Sequence, residues 1–363
     1  MARPRSKGAL LDSHNSLKKD SLMSQLQQRK DDHLRICLEE EVGSDISTGL
    51  GGYRLEYDAL PEIDLVDVDL RVELLGRSLQ APILIGSMTG GSERAGEMNK
   101  RIARAAAKVG LGMALGSQRA MIPHPELRET YAVRDAAPDL PLLIGNIGAV
   151  QLRHGLGHKE LASLVNDVQA DALYFHLNPL QEAIQPEGDT EFRGLKAMMA
   201  EYVEALPFPC LAKEVGAGIS EKTAKKLAGI PFAGIEASGV GGTSWARVEG
   251  YRAPSQSVSA QLGERLRGFG TPTAHSIQHC RQHFSERCVI GSGGIRTGLD
   301  IAVAIALGAD AVAIARPVLE AAHQSEEACE QYLTNLLHEL RVICFCTGAA
   351  NIQELRNVRL LTH

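Results

Sequence analysis

Eight short apolar runs constrain this chain more than any other feature: each ends in polar or glycine-rich residues, and most are followed by an amphipathic helical stretch. They are PILIGS from Pro82, LGMALGS from Leu111, PLLIGN from Pro141, ALYFHL from Ala172, PCLAKEV from Pro209, FAGIEAS from Phe232, CVIGSGG from Cys288 and AVAIA from Ala311. Runs this continuously apolar read as strands buried on both faces, the mark of a parallel sheet covered by helices. Together the units from Ala81 to about Ala322 come close to the roughly 250 residues of a (β/α)8 TIM barrel. A doubly wound sheet gathers its polar residues at one switch point. Here they sit at the C-terminal ends of nearly all the runs, so the pattern predicts an α/β chain folded as a TIM barrel.

Around that barrel the chain divides into residues 1–20, expected to be disordered, an N-terminal extension over 21–80, the barrel over 81–322, and a C-terminal helix and tail over 323–363. Within the extension, Ser21 to Glu40 reads as a helix, and the alternation in IDLVDVDLRVELLG from Ile63 reads as a strand pair closing the barrel floor. Asn99–Val109 and Thr297–Leu307 carry helical periodicity, the second opened by a Thr-x-x-Asp cap. A single helix is expected from Val318 to about Cys346. The sixth unit breaks the rhythm, because more than thirty residues, among them Trp245, Arg247, Glu249 and Arg252, separate Ser238 from the next expected helix near Thr271; loops that long are usually functional or disordered, and the single Trp with several charges favours function.

A formal charge of -6 with no dense basic stripe argues against nucleic acid as a partner. Membrane insertion is likewise not expected, since no uncharged apolar run reaches spanning length and the polar N-terminus develops no signal-peptide core. Seven cysteines with no CxxC spacing read as reduced, mostly buried thiols, which points to the cytoplasm.

The chemistry concentrates at the strand ends. SGGIRTG at 292–298 leaves the seventh strand and enters a helix, so glycine backbone and helix N-terminus together favour an anion. The eighth strand ends in AIARP, and barrels commonly build phosphate sites from the loops after strands seven and eight, so Gly293, Gly294, Arg296, Ala315 and Arg316 converge on one phosphate cradle. A Gly-Gly pair alone would equally make a tight turn; the two loops together favour phosphate. Met88, Thr89, Ser117, Arg119, Asn146, Lys213, Glu214, Ser238 and Thr243 mark the other strand ends, and a lysine there suits the N1–C2 edge of a flavin. Taken singly, each is better read as an ordinary satisfied strand-end polar group. The fourth strand ends in HLNPLQE, with His176 and Asn178 on one face by alternation and Gln181 and Glu182 freed by the intervening proline. A glutamate beside an amide and a phosphate site is also what a Mg²⁺ ion bridging protein to diphosphate would use. Arg29, Lys30 and His33 cluster in QRKDDHLRICL, which on charge alone is an ordinary solvated helix face.

These strings, in this order, closely resemble the type 2 isopentenyl-diphosphate delta-isomerases, a family of FMN-dependent TIM-barrel enzymes. The resemblance covers about residues 21–357 and rests on RKDDH at 29–33, SMTGG at 87–91, GSQR at 116–119, NIGA at 146–149, HLNPLQE at 176–182, QPEGD at 185–189, KEVG at 213–216, GVGGTSWARVE at 239–249 and SGGIRTG at 292–298. It implies that Arg29, Lys30, His33 and Arg119 bind the substrate diphosphate. His176 and Asn178 also fall on the substrate side, Gln181 is implied as the catalytic contact to the isoprene, and Glu182 as the Mg²⁺ ligand. Met88, Thr89, Gly90, Ser117, Asn146, Lys213, Ser238, Thr243, Gly293, Gly294, Arg296, Ala315 and Arg316 are implied to surround FMN. NADPH as flavin reductant and a homo-oligomer, tetrameric or larger, complete what the resemblance implies. Arg316 departs from the smaller or apolar residue expected there, which leaves its backbone N–H as the contact to expect.

The rival within this fold is an FMN-dependent oxidoreductase of the 2-hydroxy-acid oxidase type, which carries a catalytic His followed by Gly-x-Arg after the sixth strand. That place reads SGVGGTSW, without histidine. Inosine-monophosphate dehydrogenases need a loop cysteine, and none lies between Cys210 and Cys280.

Overall fold

The computed structural model describes residues 27–362; the expected disorder over 1–20 and the first turns of the helix from Ser21 lie outside the described residues. Eight parallel strands close into a barrel: β1 (Ile83–Ile85), β2 (Gly112–Ala114), β3 (Leu143–Gly148), β4 (Ala172–Leu177), β5 (Cys210–Glu214), β6 (Gly234–Glu236), β7 (Cys288–Ser292) and β8 (Ala311–Ile314). Each pairs with the next in sequence, and β8 returns to β1 through Val312 opposite Ile83 and Ala313 opposite Leu84. The fold is a TIM barrel, as the eight runs predict.

Strand alternation sorts each run into two cores. Ile83, Ile85, Leu143, Leu173, Phe175 and Ile235 face outward onto the helices. Leu84, Ala114, Ile144, Tyr174, Leu211, Ile290 and Ala313 fill the barrel interior, joined from below by Leu74 and Leu79 of an antiparallel hairpin, Val72–Leu74 with Arg77–Leu79. The strand pair therefore does plug the floor, but it begins later than the alternation from Ile63 implies, because Leu65–Asp67 forms a 3-10 turn instead.

Two residues toward the C-terminal end of several strands, on the same inward face, the apolar filling gives way to polar side chains. Asn146 follows Ile144, His176 follows Tyr174, Lys213 follows Leu211 and Ser292 follows Ile290. This change of chemistry along one face turns a packed barrel into a barrel with a site at its mouth.

The helix of the first unit runs Glu93–Lys108, earlier than the Asn99–Val109 periodicity predicts, because Ser92 caps it by accepting from the Ala95 N–H at 3.3 Å. The Thr297 cap is present as predicted, with Asp300 closing a capping box on the helix Gly298–Ala306. Two expectations need correction. The single C-terminal helix is two, Arg316–Gln324 and Glu326–Cys346, since Ser325 adopts extended backbone and caps the second. The sixth loop is not structureless: it contains helices Trp245–Arg252 and Val258–Arg265, each opened by a capping serine. They cross where Gly250 meets Gly263, and a Cβ on Gly250 would lie 3.0 Å from Gly263 Cα. Glycines at a helix crossing weaken the apolar periodicity that reveals helices in a sequence. A strand pair not expected from the sequence, Tyr53–Leu55 with Leu360–Thr362, joins the N-terminal extension to the last described residues.

Candidate active site

The C-terminal mouth of the barrel holds a cavity of about 550 Å³. Of the residues singled out in the sequence, Arg29, Lys30, His33, Met88, Ser117, Arg119, Asn146, His176, Asn178, Gln181, Glu182, Lys213, Ser238, Thr243, Gly293, Gly294, Arg296, Ala315 and Arg316 all line it. Thr89 and Gly90 do not. They sit behind the wall, where the Thr89 carbonyl accepts from Asn99 Nδ2 and Gly90 packs so close to the Tyr131 ring that a Cβ would lie 2.1 Å from it.

On one side lies the cradle. Gly293 and Gly294 have φ of 102° and 74°, and a Cβ on either would come within 2.4 Å of the backbone of the 239–241 loop. Only glycine lets these two loops touch. The N–H groups of Gly294, Ile295 and Ala315 donate to no protein acceptor among the described residues, whereas those of Arg296 and Thr297 are consumed by Asp300 at 3.0 Å. Unpaired N–H groups on a cavity wall at two strand ends are the donor set a terminal phosphate requires. The Arg316 guanidinium turns along its own helix to Glu320 at 2.8 Å, which leaves the backbone of AIARP facing the cradle.

The base of the cavity is a buried polar ring. His176 Nδ1 lies 2.7 Å from Asn146 Oδ1, and Asn146 Nδ2 donates to Ser87 Oγ at 2.9 Å. Since the amide nitrogen is spent on Ser87, the imidazole donates from Nδ1 and keeps Nε2 as an acceptor. Burial, followed by the Lys213 and Lys30 charges, pushes the imidazole pKa down to about 3, so it is neutral. Lys213 Nζ bonds Glu236 Oε1 at 2.5 Å. Glu214, next to Lys213, turns away: its carboxylate accepts from Gly216, Ala217 and Gly218, although burial outweighs those bonds and raises it to about 7.

Over the opening stand the β4 loop, the sixth loop and the helix over residues 27–39. They meet at Glu249, which is 0% exposed. Its Oε1 accepts from His33 Nε2 at 2.9 Å and Gln181 Nε2 at 2.8 Å, and Oε2 from Arg252 Nη1 at 2.6 Å. The Gln185 amide lies between Glu249 and Arg29, and its hydrogen bonds are satisfied with the nitrogen toward Glu249 at 3.1 Å and the oxygen toward Arg29 at 3.3 Å. Burial alone would raise the Glu249 carboxyl, but its bonds to His33 and the Arg252 charge hold it down to about 2. His33 is kept below its usual range by burial, against the opposing pull of its hydrogen bond to Glu249. Gln181 is thereby fixed at both ends, since its Oε1 accepts from Asn178 Nδ2 at 3.1 Å.

Glu182 is 7% exposed and accepts from Asn178 Nδ2 at 2.8 Å and from the Asp189 N–H at 2.7 Å. Asn178 Oδ1 beside it is buried without a partner. No group of three or more His, Cys, Asp or Glu able to hold a metal occurs among the described residues. A cation here would take its remaining oxygens from a ligand and water, the usual habit of Mg²⁺. Arg29, Lys30 and Arg119 surround the rest of the opening. The sequence singles out neither Glu236 nor the Ser292 side chain as a site group, although the inward alternation of β6 and β7 marks both. Glu249 lies among the sixth-loop charges that favour function, but its place at the centre of the lid depends on the fold of that loop, which no local signal gives.

The C-terminal half of the chain, residues 196–362, matches the family model of FMN-dependent dehydrogenases. Isopentenyl-diphosphate delta-isomerases match nearly the whole chain: one from a Synechococcus strain is 50% identical over 93% of this chain and 97% of its own, and that of Deinococcus radiodurans is 46% identical over 91% and 97%. The chain belongs to the isopentenyl-diphosphate delta-isomerase family. Within solved structures it resembles a putative lactate oxidase of Pediococcus acidilactici, with TM-score 0.66 and 18% identity over 95% of this chain and 94% of that one. A mandelate oxidase superposes with TM-score 0.63 at 19% identity, over 94% and 98%. At that identity the oxidases share the fold alone. The match to the isomerases, by contrast, covers 93% of this chain and so extends beyond the barrel, and FMN is the cofactor that the matched family and the cradle agree on.

Proposed function

We propose that this protein interconverts isopentenyl diphosphate and dimethylallyl diphosphate with the help of reduced FMN. The observation that carries the reading is one cavity with two separate anion sites: a backbone cradle at Gly294, Ile295 and Ala315, and a cationic rim of Arg29, Lys30 and Arg119. The first suits the phosphate of FMN and the second a substrate diphosphate. Bound reduced FMN supplies the acid and base that shift the double bond, chemistry for which no ordinary side chain is strong enough.

The chain's own residues bind, orient and exclude water. Arg29, Lys30 and Arg119 hold the diphosphate. Glu182 holds a Mg²⁺ ion against it, supported by the hard oxygen of Asn178. Gln181, clamped by Glu249 and Asn178, positions the isoprene and keeps its amide aligned with the reacting carbons. His176, neutral with Nε2 free, lines the substrate side without adding a charge. The face of FMN is bounded by Met88, Ser117, Asn146, Lys213, Ser238 and Thr243, with Thr89 and Gly90 shaping that wall from behind.

NADPH serves as the reductant that charges the flavin. Free thiols at all seven cysteines support a cytoplasmic setting, and no helix among the described residues is long and apolar enough to cross a membrane. Tyr57, Leu60 and Val66, exposed at 71, 75 and 82%, support a homo-oligomer. The test of the function is direct: purified protein with FMN, dithionite, Mg²⁺ and isopentenyl diphosphate should yield dimethylallyl diphosphate. No product from flavin-loaded, reduced protein would refute it.

A further inference from the structure

Lys213 and Glu236 face each other across β5 and β6, in register, on the inward side at the cavity base. They are 5% and 1% exposed, and Nζ lies 2.5 Å from Oε1. Ser292 Oγ donates to the same carboxylate oxygen at 2.8 Å, while its own lone pair accepts the Ser238 N–H at 3.0 Å. The second oxygen, Oε2, has no well-formed hydrogen bond, and the Tyr174 hydroxyl, fully buried in the interior layer below, lies against the same carboxylate, with burial and the Glu236 charge holding its pKa well above the usual range. A carboxylate whose two donors both reach one oxygen is poorly solvated by the protein. Its charge is balanced by Lys213, and in a buried setting such mutual compensation is strong.

The pairing matters because Lys213 is the cation at the base of the cavity. An ammonium against a flavin favours the anionic reduced ring and lowers the pKa of its N–H groups. Acid–base work needs those pKa values near the operating pH. We propose that Glu236 is a positioning residue that acts through Lys213: its carboxylate cancels most of the ammonium charge and so limits how strongly the site prefers reduced over oxidised FMN. The inference rests on the FMN reading above.

The experiment is redox titration of wild-type and Glu236→Gln protein reconstituted with FMN, at one mildly acidic pH. Glu236→Gln should raise the ratio of affinities for reduced over oxidised FMN about tenfold, a midpoint about 30 mV more positive for a two-electron couple. The N1 proton of the reduced flavin should also titrate at lower pH. A variant that binds FMN with unchanged midpoint and unchanged N1 titration overturns the proposal. If Glu236→Gln gives no soluble protein, Glu236→Asp carries the test. It draws the carboxylate back from Lys213 and should shift the midpoint the same way by less, and no shift overturns the proposal equally. Wild-type protein that binds no FMN would instead defeat the FMN reading, a distinct result.

Discussion

Gln181 and Glu182 are neighbours in one short helix, yet their contacts divide them: Gln181 is bonded to the Glu249 hub, and Glu182 to Asn178 and the Asp189 backbone. Glu182→Gln removes an anionic oxygen from a hard cation, so the Mg²⁺ needed for half-activity and the KM should both rise, by about tenfold or more. Gln181→Ala should leave the Mg²⁺ dependence alone and lower kcat, by about a hundredfold if it positions the reacting carbons. Equal losses of kcat with unchanged Mg²⁺ dependence would remove Glu182 from the metal. Lys30 gives a pH test. Burial, then the Arg29 charge, lowers its pKa to about 7 in the free protein. A bound diphosphate raises it again, so below about 7 Lys30 is charged in both states and contributes no slope. Above about 7 the free protein must take up a proton to bind, and affinity should fall by up to about tenfold per pH unit. Lys30→Arg, charged throughout, should flatten that limb; an unaltered slope would show that another group titrates.

The cradle is the element most legible in the sequence, because two glycines between a buried strand and a capped helix serve close backbone approach and little else. Its structure adds a constraint. A side chain at Gly294 meets Gly241 O at 2.4 Å as well as the phosphate space, so Gly294→Leu should abolish flavin binding and also lower thermal stability. Retained yellow colour would show that the cradle is elsewhere. The sixth loop is the least legible element. Its two helices are short, their crossing depends on glycines, and their value to the site lies in Glu249, whose partners are 216 and 68 residues away in the chain. Local periodicity carries no information about such contacts. The break at Ser325 is of the other kind: Ser-Glu-Glu is a plain capping signal, masked in the sequence by the continuous apolar face on either side.

At the scale of the whole molecule, the barrel is shared with proteins named as oxidases, so the fold alone cannot separate isomerase from oxidase. The eight runs make the barrel legible because parallel strands buried on both faces leave one solution for their ends. The arrangement over its mouth is legible only as a resemblance, since the helix over residues 27–39 reaches the site from outside the barrel. What distinguishes the activities is the flow of electrons. The sixth loop offers no histidine to drive substrate oxidation, and the bond shift in isopentenyl diphosphate is redox-neutral. The decisive measurement is therefore the ratio of NADPH oxidised to dimethylallyl diphosphate formed, under anaerobic conditions with FMN and Mg²⁺. A single initial reduction of the flavin should be followed by many turnovers, so the ratio should approach zero as product accumulates. One NADPH consumed for each product molecule, sustained through the reaction, would contradict it.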